Sequence, residues 1–213
     1  SEMCIRDRSY HGRMPQTAHS PQHSASAPAL ALTIAGSEAT GGAGAQADLK
    51  TFQELGVFGI VALTCIVSFD PEDDWNHRFF PVPTEILQQQ LDAIQGDYPE
   101  RLRTVKLGMQ GSPEVIRTSA AALRRAEWDH VVLDPVLICK GQEPGHALDT
   151  DQALKAELLP LATFTTPNHF ETEQLSGMTV RSVEDLTAAA RRIHEISGAA
   201  VLAKGGMHLP GPD

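Results

Sequence analysis

The chain has 213 residues, 41% of them hydrophobic and 21% charged, which is the composition of one globular domain long enough to bury a substantial core. Its 27 acidic and 17 basic side chains leave a formal charge of −10, which argues against a nucleic-acid partner held through a broad basic surface, because such binding depends on neutralising phosphates. No apolar run reaches the ~18 residues of a membrane span and no basic stretch leads into an apolar core as in a signal peptide, so the sequence reads as cytoplasmic, without a membrane partner.

In chain order, residues 1–29 are rich in Ser, His, Pro, Gln and Arg and lack apolar periodicity, as expected of a disordered leader. Its opening, Ser1-Glu2-Met3-Cys4-Ile5-Arg6-Asp7-Arg8, reads as out-of-place coding sequence, and the irregular spacing of His11, His19 and His23 reads as incidental composition. From Leu30 onward, short β-rich runs alternate with amphipathic helical stretches, predicting an α/β layer fold with a mostly parallel sheet over residues 30–213. A first strand is expected at 30–35, then a glycine-rich loop, then a helix at about 45–55 with Ala45, Leu49, Phe52 and Leu55 on one face and Gly56 as its stop.

A long buried strand follows at 60–69, and Asp70-Pro71-Glu72-Asp73-Asp74-Trp75-Asn76-His77 reads as a loop. Thr84 is expected to cap a helix carrying Leu87, Leu91 and Ile94, ahead of a strand at 105–109. Ser112-Pro113 reads as an N-cap with a first-turn proline, opening a helix toward Arg125. Further on come a strand at 130–134, a loop of about fifteen residues, a helix near 152–158 and a strand at 163–166. Ser182 and Asp185 make a capping-box-like start to a helix ended by Gly198, and a short strand at 200–203 leads into Lys204-Gly205-Gly206. Cys4, Cys65 and Cys139 are too widely spaced for a CxxC metal site or a disulfide framework; Cys65 reads as core, whereas Cys139 sits beside Lys140 in a loop.

Ligands of such sheets gather at the carboxyl ends of the strands, where the unusual residues fall. Gly36-Ser37-Glu38-Ala39-Thr40-Gly41-Gly42-Ala43-Gly44 lies between a strand and a helix, the setting of a phosphate-binding loop. Gly42 and Ala43 nevertheless stand where a Walker A loop needs Lys and Ser or Thr, and no Gly-x-Gly-x-x-Gly fingerprint is completed, which disfavours an NAD oxidoreductase. A plain turn requiring positive φ remains the alternative.

Thr33-Ile34-Ala35-Gly36-Ser37-Glu38 with Gly41-Gly42-Ala43-Gly44-Ala45-Gln46-Ala47-Asp48-Leu49-Lys50-Thr51-Phe52 resembles the opening of the hydroxymethylpyrimidine and pyridoxine kinases of the ribokinase-like superfamily. The resemblance continues through Lys106-Leu107-Gly108-Met109, Asp134-Pro135-Val136, Thr166-Pro167-Asn168 with Glu171, and Lys204-Gly205-Gly206. It implies a ribokinase-like three-layer α/β/α sandwich and ATP-dependent phosphorylation of the hydroxymethyl group of a small vitamin precursor, with ATP and Mg²⁺ as cofactors and a homodimer at full length. The resemblance also implies the roles of individual residues. Gly36, Ser37 and Glu38, together with Asp70, belong to the substrate pocket, although the family usually has Asp where this chain has Glu38. Asn168, Lys204, Gly205 and Gly206 belong to the nucleotide site, Glu171 organises Mg²⁺ through water, and Asp134 supports the same polar centre. Lys106 either adds positive potential to the site or simply extends its stem from a strand end.

Two features resemble the pyridoxal-kinase-like branch. Cys139 lies in a lid-like segment, where a thiol favoured as thiolate by Lys140 can add reversibly to the aldehyde of pyridoxal as a hemithioacetal; hydroxymethylpyrimidine has no aldehyde. Ser68-Phe69-Asp70 also replaces the Gln-Asn pair typical of enzymes dedicated to hydroxymethylpyrimidine. Pyridoxal or pyridoxine is therefore the expected substrate and hydroxymethylpyrimidine the alternative. The family's later Gly-Ala-Gly motif has no counterpart after Gly206, so the domain is expected to be incomplete at its C-terminus and inactive alone; a non-catalytic vitamin-binding fragment is the alternative of another class.

Overall fold

The first strand, β1 (Leu30–Glu38), is buried along almost its whole length, the pattern of a central strand covered on both faces. In this computed structural model, which describes residues 27–137, 144–206 and 209, it runs three residues beyond the expected end at Ala35. Gly36, Ser37 and Glu38 are therefore strand residues, and the turn that follows is shorter than the sequence suggests. A register shift between Ala35 and Ser37 marks the point where β1 meets β2 (Phe58–Asp70) irregularly.

Helix α1 (Gly44–Glu54) joins β1 to β2. β3 (Asn76–Pro81) then turns back antiparallel to β2, with Ile66 opposite Phe80 and Phe69 opposite His77. This hairpin corrects the reading of Asp70 to His77 as a loop: its tip is tight because Asp74 and Trp75 both adopt positive φ, a conformation the sequence pattern does not announce. Helix α2 (Thr84–Asp97) has Pro83 at its N-cap and no capping hydrogen bond, so Thr84 is the first helical residue and not the cap.

β4 (Thr104–Leu107), α3 (Pro113–Arg124) and β5 (His130–Leu133) follow, with Ser112 Oγ accepting from the Val115 amide as its sequence predicts. The helix expected near 152–158 is longer: α4 (Pro144–Ala153) passes into a π turn and a short 3-10 turn that ends at Leu161. β6 (Phe164–Thr165), α5 (His169–Ser176), α6 (Val183–Ser197) and β7 (Ala200–Val201) complete the order. Ser182 caps α6, and Gly198 ends it in the left-handed conformation.

The sheet order is β3-β2-β1-β4-β5-β6-β7, parallel throughout except for β3. Alternation along β1 divides the layers. Leu32 and Ile34 enter the main core with Leu87 and Leu91 of α2, Ile116 of α3 and Ile193 of α6, whereas Thr33 faces the other way and donates to Asp48 of α1 at 2.6 Å. The result is an α/β/α sandwich. Leu87, Leu91 and Ile116 are fully buried, and truncating any of them to Ala removes contacts worth about 2–5 kcal/mol.

Candidate active site

Just past the ends of β4, β5, β6 and β7, the chain reaches the same edge of the sheet on backbone fixed by ladder-like hydrogen bonds. Gly108 N donates to Ile34 O at 3.0 Å, Asp134 N to Leu107 O at 2.9 Å, Thr166 N to Leu133 O at 3.1 Å and Lys204 N to Pro167 O at 2.8 Å. Positions built this way move little, which suits groups that must meet a ligand in register.

A cavity of about 420 Å³ opens at this edge. Gly36, Ser37 and Glu38 form one wall, Gly108 and Met109 another, and Asp134 and Val136 lie at one side, with Phe69 and His77 of the β2–β3 hairpin opposite. The sequence reading did not select Phe69, His77 or Met109, because the hairpin that presents two of them was not foreseen. His77 meets Phe69 edge-on, with ring centroids 4.7 Å apart. Lys106, left open between two readings, lines the cavity while pairing with Asp48 at 3.0 Å, and the same Asp48 oxygen accepts from Thr33.

The glycine-rich turn is closed by contacts that only glycine permits. A Cβ on Gly44, whose φ is +62°, would lie 2.3 Å from the Gly36 carbonyl oxygen, and one on Gly36 would lie 2.6 Å from the Cys65 sulfur. Cys65 is fully buried, and burial pushes its thiol pKa up, so it is an inert core residue as its sequence context suggests. Ser37 Oγ accepts from Gln46 Nε2 at 2.6 Å. The Glu38 carboxylate turns into the turn itself, accepting from Thr40 N at 2.7 Å, Thr40 Oγ1 at 2.8 Å, Gly42 N at 2.9 Å and Ala43 N at 3.3 Å.

Asp70 does not join this group. Its carboxylate binds Arg78 across the hairpin and accepts from the Glu72 amide at 3.1 Å, so it shapes the turn and does not line the cavity. The family resemblance implied a pocket residue; the antiparallel return of β3 explains its actual place.

A polar cluster forms beside the cavity, beyond β5, β6 and β7. Asp134 Oδ1 accepts from Thr166 Oγ1 at 3.3 Å and lies 3.5 Å from Lys204 Nζ. Asn168 and Glu171 make a reciprocal capping box at the start of α5. Glu171 is 5% exposed, and its pKa is raised mainly by burial and further by Asp134, against hydrogen bonds from the Asn168 and Leu137 amides and the charge of Lys204. Gly205 and Gly206 follow Lys204, with Gly206 at positive φ. The structure thus brings together Asp134, Asn168, Glu171 and Lys204 as expected, while Cys139 lies outside the described residues.

The sequence profile of the phosphomethylpyrimidine kinases matches residues 38–213, which include every part of this site except the first two residues of the Gly36-Ser37-Glu38 wall. The chain belongs to the phosphomethylpyrimidine kinase family. Within and around this family, a pyridoxine kinase of Bacillus subtilis is 45% identical over 184 residues, covering 84% of this chain and 66% of the relative. A hydroxymethylpyrimidine/phosphomethylpyrimidine kinase of Haemophilus influenzae is 39% identical over 178 residues, covering 84% of this chain and 65% of that enzyme. The chain thus spans just under two thirds of the length of these relatives. The pyridoxal kinase of Bacillus subtilis, solved as an ADP complex, superposes with a TM-score of 0.80 at 43% identity, covering 87% of this chain and 69% of that one. The shared fold agrees with the ribokinase-like sandwich expected from the motifs. Among the described residues, no helix is long and apolar enough to cross a membrane.

Proposed function

We propose that this chain carries the vitamin site and part of the nucleotide site of an ATP-dependent kinase that phosphorylates the hydroxymethyl group of pyridoxal or pyridoxine. The observation that carries this reading is the junction of the largely apolar cavity with the Asp134, Glu171 and Lys204 cluster along one edge of the sheet. A flat heteroaromatic ring suits walls made of glycine backbone, Met109, Val136 and the Phe69 and His77 rings.

In this reading the residues have separate tasks. The glycine wall admits the ring close to the backbone, and the hairpin side chains cover it and exclude water. Asp134, held by its amide to the Leu107 carbonyl and by the Thr166 hydroxyl, would serve as an acceptor for the hydroxymethyl proton. Lys204 and the Gly205-Gly206 turn offer positive charge and open backbone to nucleotide phosphates.

The donor set also suits Mg²⁺. The Asp134 and Glu171 carboxylates interact here, and Mg²⁺ is commonly held by one or two carboxylates together with water and phosphate oxygens. Glu171 already accepts from two backbone amides, which favours contact through water, and a cation nearby would offset the cost of a buried carboxylate next to Asp134. When bound, Mg²⁺ would neutralise the charge of the transferring phosphoryl group.

Hydroxymethylpyrimidine is the second candidate substrate, favoured by the family match and by the Haemophilus relative. Pyridoxal is preferred because residues 68–70 lack the Gln-Asn pair and because of Cys139. Comparing kcat/KM for the two substrates in the full-length protein tests the choice: a clear excess for hydroxymethylpyrimidine would overturn it. Binding of the vitamin without any binding of ATP would instead favour a non-catalytic module.

A further inference from the structure

β1 and β4 run side by side only as far as Ile34 and Leu107, and then separate. β1 continues to Glu38 alongside β2, whereas β4 ends at Leu107 and the chain leaves through Gly108 and Met109 toward α3. The split lies where the order of the sheet reverses, with β2 and β3 on one side of β1 and β4 to β7 on the other, and a crevice at such a point is the usual ligand seat of an open α/β sheet. The cavity occupies it here, with Gly36 and Ser37 on the β1 side and Gly108 and Met109 on the β4 side.

A single buried side chain bridges the base of the split. Gln110, 2% exposed, donates from Nε2 to Ile34 O and to Gly108 O, each at 3.1 Å, while its Oε1 accepts from the buried Ser119 hydroxyl of α3 at 2.8 Å. The two carbonyls can only accept, which fixes the orientation of the carboxamide, and both of its N–H donors are used. Burying such a group is costly unless it is bonded this fully, and an apolar side chain of similar length would fill the same space without joining the two strands. Thr64 Oγ1 of β2 donates to Met109 O at 2.7 Å and holds the same wall from another strand. Gln110 itself is not among the residues that line the cavity.

We propose that Gln110 is a positioning residue that sets the width of this crevice, and with it the fit of a flat ring between the Gly36-Ser37 and Gly108-Met109 walls. It acts through backbone, because Ile34 stands two residues before Gly36 and Gly108 is itself part of the wall, and Ser119 anchors the clamp to α3. The proposal rests on the vitamin-kinase reading only for the identity of the ring. Ring thickness is common to pyridoxine and hydroxymethylpyrimidine, so loss of the clamp affects both alike. The Asp134, Glu171 and Lys204 cluster stands on the segments after β5, β6 and β7, with backbone hydrogen bonds of its own, and is spared.

Equilibrium titrations of the full-length protein with pyridoxine, hydroxymethylpyrimidine and a non-hydrolysable ATP analogue, with urea melts alongside, test the assignment in wild type, Gln110→Met and Ser119→Ala. Gln110→Met keeps the length of the side chain and removes its hydrogen bonds. It is expected to raise the Kd of each ring that wild type binds by about tenfold and to leave the nucleotide Kd within about twofold of wild type, the scale of a wall displaced by a fraction of an ångström. Ser119→Ala, outside the cavity, should move ring affinity in the same direction by a smaller factor. Unchanged ring affinity, whatever the urea midpoint, would make Gln110 an ordinary core residue, and equal losses of ring and nucleotide binding would show general loosening; either result overturns the proposal. If Gln110→Met fails to fold, Ser119→Ala decides by the same contrast between ring and nucleotide. If wild type binds neither ring, the vitamin reading fails on its own and the clamp is judged without ligand: the Gly36 and Ser37 amide resonances on the far wall must still move in either variant, and unmoved resonances refute it.

Discussion

Asn168 and Glu171 hold one another by exchanging side-chain and backbone groups: Glu171 N donates to Asn168 Oδ1 at 2.9 Å, and Asn168 N donates to Glu171 Oε2 at 2.8 Å. The carboxylate is thereby fixed before any ligand arrives, at the cost of burying a charge beside Asp134. Structure and function can be separated by substitution. Glu171→Ala loses both the cap acceptor and the charge, and should destabilise the fold by about 1–2 kcal/mol in urea titrations.

Glu171→Gln keeps an acceptor for the Asn168 amide and loses only the charge. Because burial raises the Glu171 pKa, the folded state holds this proton more tightly than the unfolded chain does. That favourable contribution is complete below the unfolded value and is lost as pH rises through the raised folded value. E171Q should therefore equal or exceed wild type in stability at neutral pH, and the difference should shrink as pH falls through the raised folded value and level off below the unfolded value. In the full-length protein, phosphoryl transfer and its Mg²⁺ dependence should nevertheless be impaired. Thermal melts across the acid range check the first part, and initial rates at limiting Mg²⁺ the second.

Gly44→Ala and Gly56→Ala place the same methyl group at similar positive φ in different surroundings. At Gly44 the new Cβ meets the Gly36 carbonyl oxygen at 2.3 Å, whereas at Gly56 nothing lies within 4 Å. Gly56→Ala should cost about 1–2 kcal/mol for the left-handed backbone alone. Gly44→Ala should cost clearly more and weaken vitamin binding too; equal losses in denaturant midpoint would remove the steric role of Gly44.

Gly36 and Cys65 should be coupled. A Cβ on Gly36 would stand 2.6 Å from Cys65 Sγ, so Gly36→Ala is expected to destabilise by roughly 1–3 kcal/mol through overpacking. Cys65→Ala in the same chain should recover part of that loss, with a coupling of about 0.5–3 kcal/mol in a double-mutant cycle. Strict additivity would contradict the packing described.

Lys106 and Asp48 form a second testable pair, with side chains 22% and 17% exposed. Lys106→Met leaves the Asp48 carboxylate with Thr33 as its hydrogen-bond partner and should cost about 1–3 kcal/mol. Asp48→Asn in the same background should relieve much of it. A vitamin KM that rises in Lys106→Met, with kcat little changed, would assign the ammonium to ring binding.

Much of this architecture is legible in the sequence, because its parallel strands are short apolar runs punctuated by helices with clear signals. Ser112-Pro113 and Gly198 mark helix ends where expected. The polar cluster was also legible through motifs at strand ends, including Asp134, Asn168, Glu171 and Lys204. The β2–β3 hairpin was not, since its turn depends on Trp75 as well as Asp74 adopting positive φ, which aspartate tolerates but a bulky tryptophan does not advertise. Phe69 and His77 were missed with it, and Asp70 was assigned to the cavity although it serves Arg78. The direction of the Glu38 carboxylate was hidden as well, because it is set by amides two to five residues farther along the chain.

The most direct test of the central claim is amide NMR of the protein titrated with pyridoxine, which lacks the aldehyde that labels lysines indiscriminately. Saturable shifts confined to Gly36, Ser37, Gly108, Met109 and residues 67–69 are the predicted result. A second hollow, of about 360 Å³, lies among residues that precede β4 and β5, where Arg103 is committed to Glu127 and Asp129, and Arg125 to Asp92. Saturable shifts centred there on Tyr98 and Trp128, with Gly36 and Gly108 unmoved, would contradict the assignment of the vitamin site.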